Sequence, residues 1–258
     1  MPPLAAGGRM TLEVTGLSRA DAEPGAALAR GTADVLRVGE LVHRDWRTEV
    51  EVFGEAPGTA MLEVRRVDGD LLIDRLPVSV RAVARAAVVP PGIVGCSASE
   101  VALYRPLEAP LGVVITDAEG EALADEGAAL ETRDGLPVTE IPAGLDRIAL
   151  VVVAGGQRFP AELPVVDRAD TIARADPIDE TLVQGPPRSL FRCYRALRES
   201  HEVVGAAFTF ERLRSDGTAS PLAAAEGAPQ CVEAGALSPG TRLRIRAAGA
   251  ERIDAVAP

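Results

Sequence analysis

A chain of 258 residues with a formal charge of -11, 47% apolar residues and 3% aromatics is long enough for two or three compact units with cores of Val, Leu, Ile and Ala. The acidity argues against a nucleic-acid or anionic-membrane surface, which needs clustered positive charge, and the few rings argue against a sugar or base-stacking platform. All 27 basic residues are Arg, and neither Lys nor Asn occurs, which removes P-loop, Schiff-base and isopeptide lysines and N-glycosylation acceptors.

That bias points to a GC-rich coding sequence, as in a high-GC bacterium or one of its phages. The opening "MPPLAAGGRM" has no basic region followed by an apolar run, so no secretory signal is expected. No apolar stretch is long enough to cross a bilayer. The Ala-rich "RADAEPGAALARGTADVLR" predicts a short helix. His43 opens "HRD", which echoes a kinase catalytic loop, but the chain has no Asn, no Lys and no glycine-rich nucleotide loop. It reads as a loop residue before a strand.

In "RTEVEVF", Thr48, Val50 and Val52 fall on one face and Arg47, Glu49 and Glu51 on the other, the pattern of a half-buried strand. "EAPGTAMLEVRRVDGDL" from Glu55 and "EAPLGVVITDAEGEAL" from Glu108 share one plan. Pro57 and Pro110 suit the start of a strand, and Asp68-Gly69 and Glu119-Gly120 suit tight hairpin turns. Asp216-Gly217, after "AAFTFERLR", makes a third such turn. "LPVSVR" and "TRLRIR" alternate like "RTEVEVF", and Ile148 to Val153, apolar on both faces, predicts a central strand.

The middle of the chain is the acidic part: residues 91–171 hold 14 Asp and Glu against 5 Arg, whereas 172–258 hold 11 of each. Asp117, Glu119, Glu121, Asp125, Glu126, Glu131 and Asp134 read as a solvated hairpin face, with a calcium site as the alternative. "DRADTIARAD" predicts a second short helix. His201, in "ESHEVV", reads as a turn residue between two strands, because no Gly-x-Ser-x-Gly elbow accompanies it.

Cys96, Cys193 and Cys231 form no Cys-x-x-Cys motif, so zinc is not expected. In an oxidising compartment Cys193 and Cys231 form a candidate disulfide across the two sheets of the third module; otherwise they are buried free thiols. Arg242, Arg244 and Arg246 form a stripe that, with Arg192, Arg195 and Arg198, is a candidate face for docking an acidic partner, including the middle module of another copy. Its alternative is an ordinary wet strand face.

These readings predict a mainly β chain of tandem antiparallel β-sandwich modules, immunoglobulin-like in size, joined by short helical connectors. The modules are placed at 10–90, 91–171 and 172–258, with joints at "VVPPG" around Pro90 and Pro91 and at "DRADTIARADP". The expected role is non-catalytic: a structural or protein-interaction subunit of a surface appendage, a virion or tail accessory, or an envelope scaffold. Its expected partners are other protein subunits and copies of itself, with no nucleic acid, membrane insertion, metal or cofactor. A hydrolase with a site at a module interface, using His201 or the acidic cluster, and a calcium-dependent binding module are the alternatives. The compartment is left open.

Overall fold

The structure is a computed structural model that describes residues 1–14, 27–31, 34–44, 47–67, 71–90, 100–175, 191–214, 216–225, 227–233, 237 and 240–255. Cys96, the Asp68-Gly69 turn, Pro91, the first part of the Ala-rich segment and the side chain of His43 lie outside the described residues. Every regular element among the described residues is a strand. No helix there is long and apolar enough to cross a membrane. Two compact units are formed: Met1–Ala86 with Ile115–Ala129 and Val152–Phe159, and Ala87–Val114 with Leu130–Val151 and Pro160–Pro258.

The first unit is built on β1 (Leu4–Ala5), β2 (Arg9–Glu13), β3 (Ala27–Arg30), β4 (Leu36–Arg44), β5 (Arg47–Gly54), β6 (Gly58–Arg66) and β7 (Leu72–Arg81). They form two sheets, in the orders β1-β7-β6-β3 and β2-β5-β4. The alternation read in β5 is the one found: Thr48, Val50 and Val52 are buried, while Glu49 and Glu51 are half-exposed. Val50 and Val52 meet Leu4, Leu62, Val64, Val78 and Val80 in one core fed by both sheets. Burying each such side chain contributes roughly 1.5–3 kcal/mol, which is how a core without large rings is sustained.

Next come β8 (Arg85–Val89), β9 (Val101–Tyr104), β10 (Gly112–Thr116), β11 (Ala129–Thr132), β12 (Arg147–Ala154), β13 (Gln157–Val166) and β14 (Thr171–Arg174). The last group is β15 (Phe191–Arg198), β16 (His201–Val204), β17 (Thr209–Leu213), β18 (Ala219–Leu222), β19 (Cys231–Glu233), β20 (Arg242–Ala247) and β21 (Ala250–Ala255). β8 pairs with β10. A large sheet runs β11-β12-β13-β9-β16-β15-β14, with β19 added on β15, and a four-stranded sheet runs β18-β17-β20-β21. β12, predicted as central, has a strand on each side, and Leu150, Val151 and Val152 are all buried. In the second unit Tyr194, Ala196, Val203, Phe210, Leu243 and Ile245 share one core. The Tyr194 hydroxyl donates to Asp254 Oδ2 at 2.9 Å, and burial, followed by this bond, pushes its pKa well above the usual phenol value.

Two expectations about local structure are corrected. The helical connector predicted in "DRADTIARAD" is absent: Thr171–Arg174 is the strand β14, paired antiparallel with β15. Ile172 is 4% exposed in the core, and that burial and ladder pairing override the helix preference of a short Ala- and Arg-rich segment. In the other Ala-rich segment, the described Ala27–Arg30 is likewise a strand, β3, paired with β6. The pairing is also not wholly antiparallel, since β1–β7, β9–β13 and β9–β16 are parallel.

The Glu-Ala-Pro repeat does precede strands, β6 after Pro57 and β10 after Pro110. The second copy closes only by the isolated bridge Thr116–Ala122, around a turn in which Gly120 has φ 87°. Asp216-Gly217 is a turn between β17 and β18, in which Asp216 Oδ1 accepts from the backbone N–H of Thr218 at 2.9 Å.

Candidate functional site

The arginine stripe lies on β20, with Leu243 and Ile245 turned into the core and Arg242 and Arg246 exposed. Its neighbours are acidic. Register sets Glu211 of β17 opposite Arg244 and Glu251 of β21 opposite Arg246. Arg244 Nη1 lies 3.2 Å from Glu211, and Arg246 lies 3.4 Å from Glu211 and 2.8 Å from Glu251. Arg246 in turn holds the Glu251 carboxyl below the usual range. The other three arginines also face acids: Arg192 is 4.0 Å from Asp254, Arg195 is 3.8 Å from Glu202 and Arg198 is 2.6 Å from Asp170. The stripe is therefore largely compensated by its own sheet. An acidic partner would have to compete with cross-strand pairs already in place.

The acidic cluster contains structural anchors, all within the first unit. Asp117 is buried; its Oδ2 accepts from Arg81 at 2.6 Å, and its Oδ1 accepts from the backbone N–H groups of Glu119 and Glu121 at 3.1 and 2.8 Å. Arg81, first, and then those amides hold the Asp117 carboxyl below the usual aspartate range, against the opposing effect of burial. Asp117 thus stabilises the fold above its unperturbed pKa, and that contribution is lost as pH falls through the lowered value.

Asp125 accepts three backbone N–H bonds, from Arg9 at 3.1 Å, Gly127 at 2.8 Å and Gly155 at 2.8 Å. Glu126 accepts from the N–H and the hydroxyl of Thr11, both at 2.8 Å. The segment 115–129 is therefore latched to β2 and to the Gly155 turn through carboxylates that the sequence reading assigned to solvent. Among the described residues, no three His, Cys, Asp or Glu side chains are placed to hold a metal ion. Asp125→Ala is expected to lower the unfolding free energy by about 2 kcal/mol, because three amides lose a charged acceptor. Urea unfolding followed by circular dichroism reads that change.

His201 is the first residue of β16, just past the Glu199–Ser200 turn, and its Nε2 lies 3.0 Å from Glu100 Oε2. Glu202, beside it, is 5% exposed, and burial raises its carboxyl pKa while Arg195 partly offsets the rise. A raised carboxyl pKa means that the folded state favours the protonated form. Stability from this group is therefore greatest below the unperturbed value and declines as pH rises through the raised one. Glu202→Gln is expected to be at least as stable as the parent at pH 7, with the difference closing toward pH 4. Melting temperatures across that range check it.

Cys193 and Cys231 face each other in register on β15 and β19 and are bonded, with an S–S distance of 2.06 Å. The bridge joins neighbouring strands of one sheet, whereas the sequence reading set it across two sheets. Cys193, with Phe191, lies on the face of β15 opposite Tyr194 and packs with Ala225, Ala228 and Cys231 in a small separate cluster.

Sequence reasoning missed the Tyr194–Asp254 bond and the amide partners of Asp125. A signal for the first was present: Tyr194 is one of only two tyrosines, and it shares its strand face with the buried Ala196.

No family model and no curated protein matches this chain. Among solved structures, it is similar to domains 5-6 of the S-layer protein SbsC, at 19% identity over 64% of this chain and 93% of that one, with a TM-score of 0.28. The N-terminal part of the bacterial S-layer protein SbsC matches at 14% identity over 64% of this chain and 43% of that one, with a TM-score of 0.31, so less than half of that longer structure is spanned. The Escherichia coli adhesin FdeC matches at 14% identity over all of this chain and 95% of that one, with a TM-score of 0.24. At these scores the likeness carries no argument about what the chain does.

Proposed function

We propose that the chain is a non-catalytic structural subunit, built from successive β-sandwich modules and assembling with other protein subunits, including copies of itself. One observation carries the reading: the carboxylates and arginines that are candidates for chemistry are spent on holding strands and turns. Asp117, Asp125 and Glu126 accept backbone amides and the Arg81 guanidinium. Arg244 and Arg246 are paired across strands. His201 Nε2 lies 3.0 Å from Glu100 Oε2 at a hairpin end.

Incubation of the full chain and of His201→Ala with generic ester and glycoside substrates tests the absence of catalysis. Both are expected to show no turnover above the blank, and turnover abolished by the substitution would overturn the reading. Melting with millimolar calcium and with chelator is expected to give equal midpoints. A rise with calcium would place the acidic cluster in a binding role.

A further inference from the structure

We propose that β21 is the surface through which two copies of this chain pair, edge to edge and antiparallel about Ile253, so that the β18-β17-β20-β21 sheet continues into that of the second copy. The inference rests on the assembly reading above and gives it a surface and a partner. β21 ends its sheet, and among the described residues no strand pairs with its outer side.

The turn before β21 fixes which backbone groups that side presents. Ala248 and Gly249, with φ 49° and 79°, make a two-residue turn that closes on the bonded pair Ala247–Ala250. Alternation then turns the N–H and C=O groups of Ala250, Arg252 and Asp254 toward β20 and those of Glu251, Ile253 and Ala255 outward. The ladder has no bulge and the strand no proline. The charges on its inner face are already satisfied: Arg252 Nη1 donates to Ile172 O at 3.2 Å, and Asp254 accepts from the Tyr194 hydroxyl at 2.9 Å. Other edges are blunted. β18, at the far side of the same sheet, contains Pro221, and the outward amides of Arg9 and Thr11 in β2 are bonded to Asp125 and Glu126.

Charge selects the partner and the register. With a two-fold axis at Ile253, the outward groups of Glu251, Ile253 and Ala255 meet those of Ala255, Ile253 and Glu251 of the second copy, and Arg252 stands opposite the second copy's Asp254. Ile253, 45% exposed in the single chain, is then covered by its own counterpart. Moving the axis by one residue sets Arg252 against Arg252 or Asp254 against Asp254, and centring it on Glu251 sets that carboxylate against itself. Like charges directly opposite one another are destabilising.

Sedimentation velocity of the purified full chain over micromolar concentrations is expected to show a monomer–dimer equilibrium. Ile253→Pro removes an outward N–H that no pair within the chain uses, so the circular dichroism stays that of the parent while the dimer dissociation constant rises roughly thirty-fold through the bonds lost at the axis. Ala255→Glu and Ala255→Arg change an exposed side chain opposite Glu251 of the second copy and keep every backbone group, so they carry the test if the proline variant does not fold. The first is expected to weaken the dimer and the second to tighten it, each roughly five-fold. A parent that stays monomeric overturns the proposal, and so does a dimer that these substitutions leave unchanged. The assembly reading survives either result if native purification returns the chain in a stoichiometric complex.

Discussion

Replacing Cys193 and Cys231 together by alanine is expected to lower the unfolding free energy by about 4 kcal/mol, the loop-closure contribution for a bridge of this span. The two residues are 38 positions apart, and β16, β17 and β18 lie between them. The ladder they close is short: among the described residues its paired positions are Phe191–Glu233, Arg192–Val232 and Cys193–Cys231. Without the covalent link, β19 is held by these pairs, by Val232 in the core and by the backbone bonds between Cys231 and the turn before it. The midpoint of urea unfolding, measured without reductant, reads the loss. A variant that unfolds at the parent midpoint would mean that β19 is held without the bridge.

Gly155→Ala is expected to destabilise by about 3–4 kcal/mol, through both a backbone clash and an unfavourable dihedral. At Gly155, with φ 56°, an added Cβ would sit 2.5 Å from the carbonyl oxygen of Ala6 and 2.9 Å from Val83 Cγ2. Gly7 is the reciprocal position, where a Cβ would lie 2.3 Å from the carbonyl oxygen of Gly155. The turn therefore approaches the N-terminal segment so closely that neither glycine has room for a methyl group. Gly156 separates the two effects: its φ is 68°, but a Cβ there meets nothing within 4 Å. Gly156→Ala is expected to cost only about 1 kcal/mol, the left-handed penalty alone. Equal losses at the two positions would show that the close approach contributes nothing.

Period-two alternation made the strands legible because each has one face against a core. Thr48, Val50 and Val52 in β5 and Leu243 and Ile245 in β20 are buried as their spacing requires. The acidic-Gly turns at Glu119-Gly120 and Asp216-Gly217 were legible because an aspartate that accepts a nearby amide and a glycine with positive φ act locally.

β14 was misread as helix because its strand state is imposed by pairing with β15 and by the burial of Ile172, neither of which is a property of the segment itself. The Asp125 latch was illegible for a related reason. Its partners are backbone amides of Arg9 and Gly155, 116 and 30 positions away, and amides carry no sequence signal. The compensation of the arginine stripe could have been found. A two-residue turn at Ala248-Gly249 between β20 and β21 places Glu251 opposite Arg246 by counting alone.

Assembly without turnover is tested most directly by native purification of the tagged full chain from its own host, with mass and composition determined for whatever accompanies it. A stoichiometric high-mass assembly, containing other protein subunits or many copies of this chain, is the predicted result. A lone monomer at every concentration would contradict it.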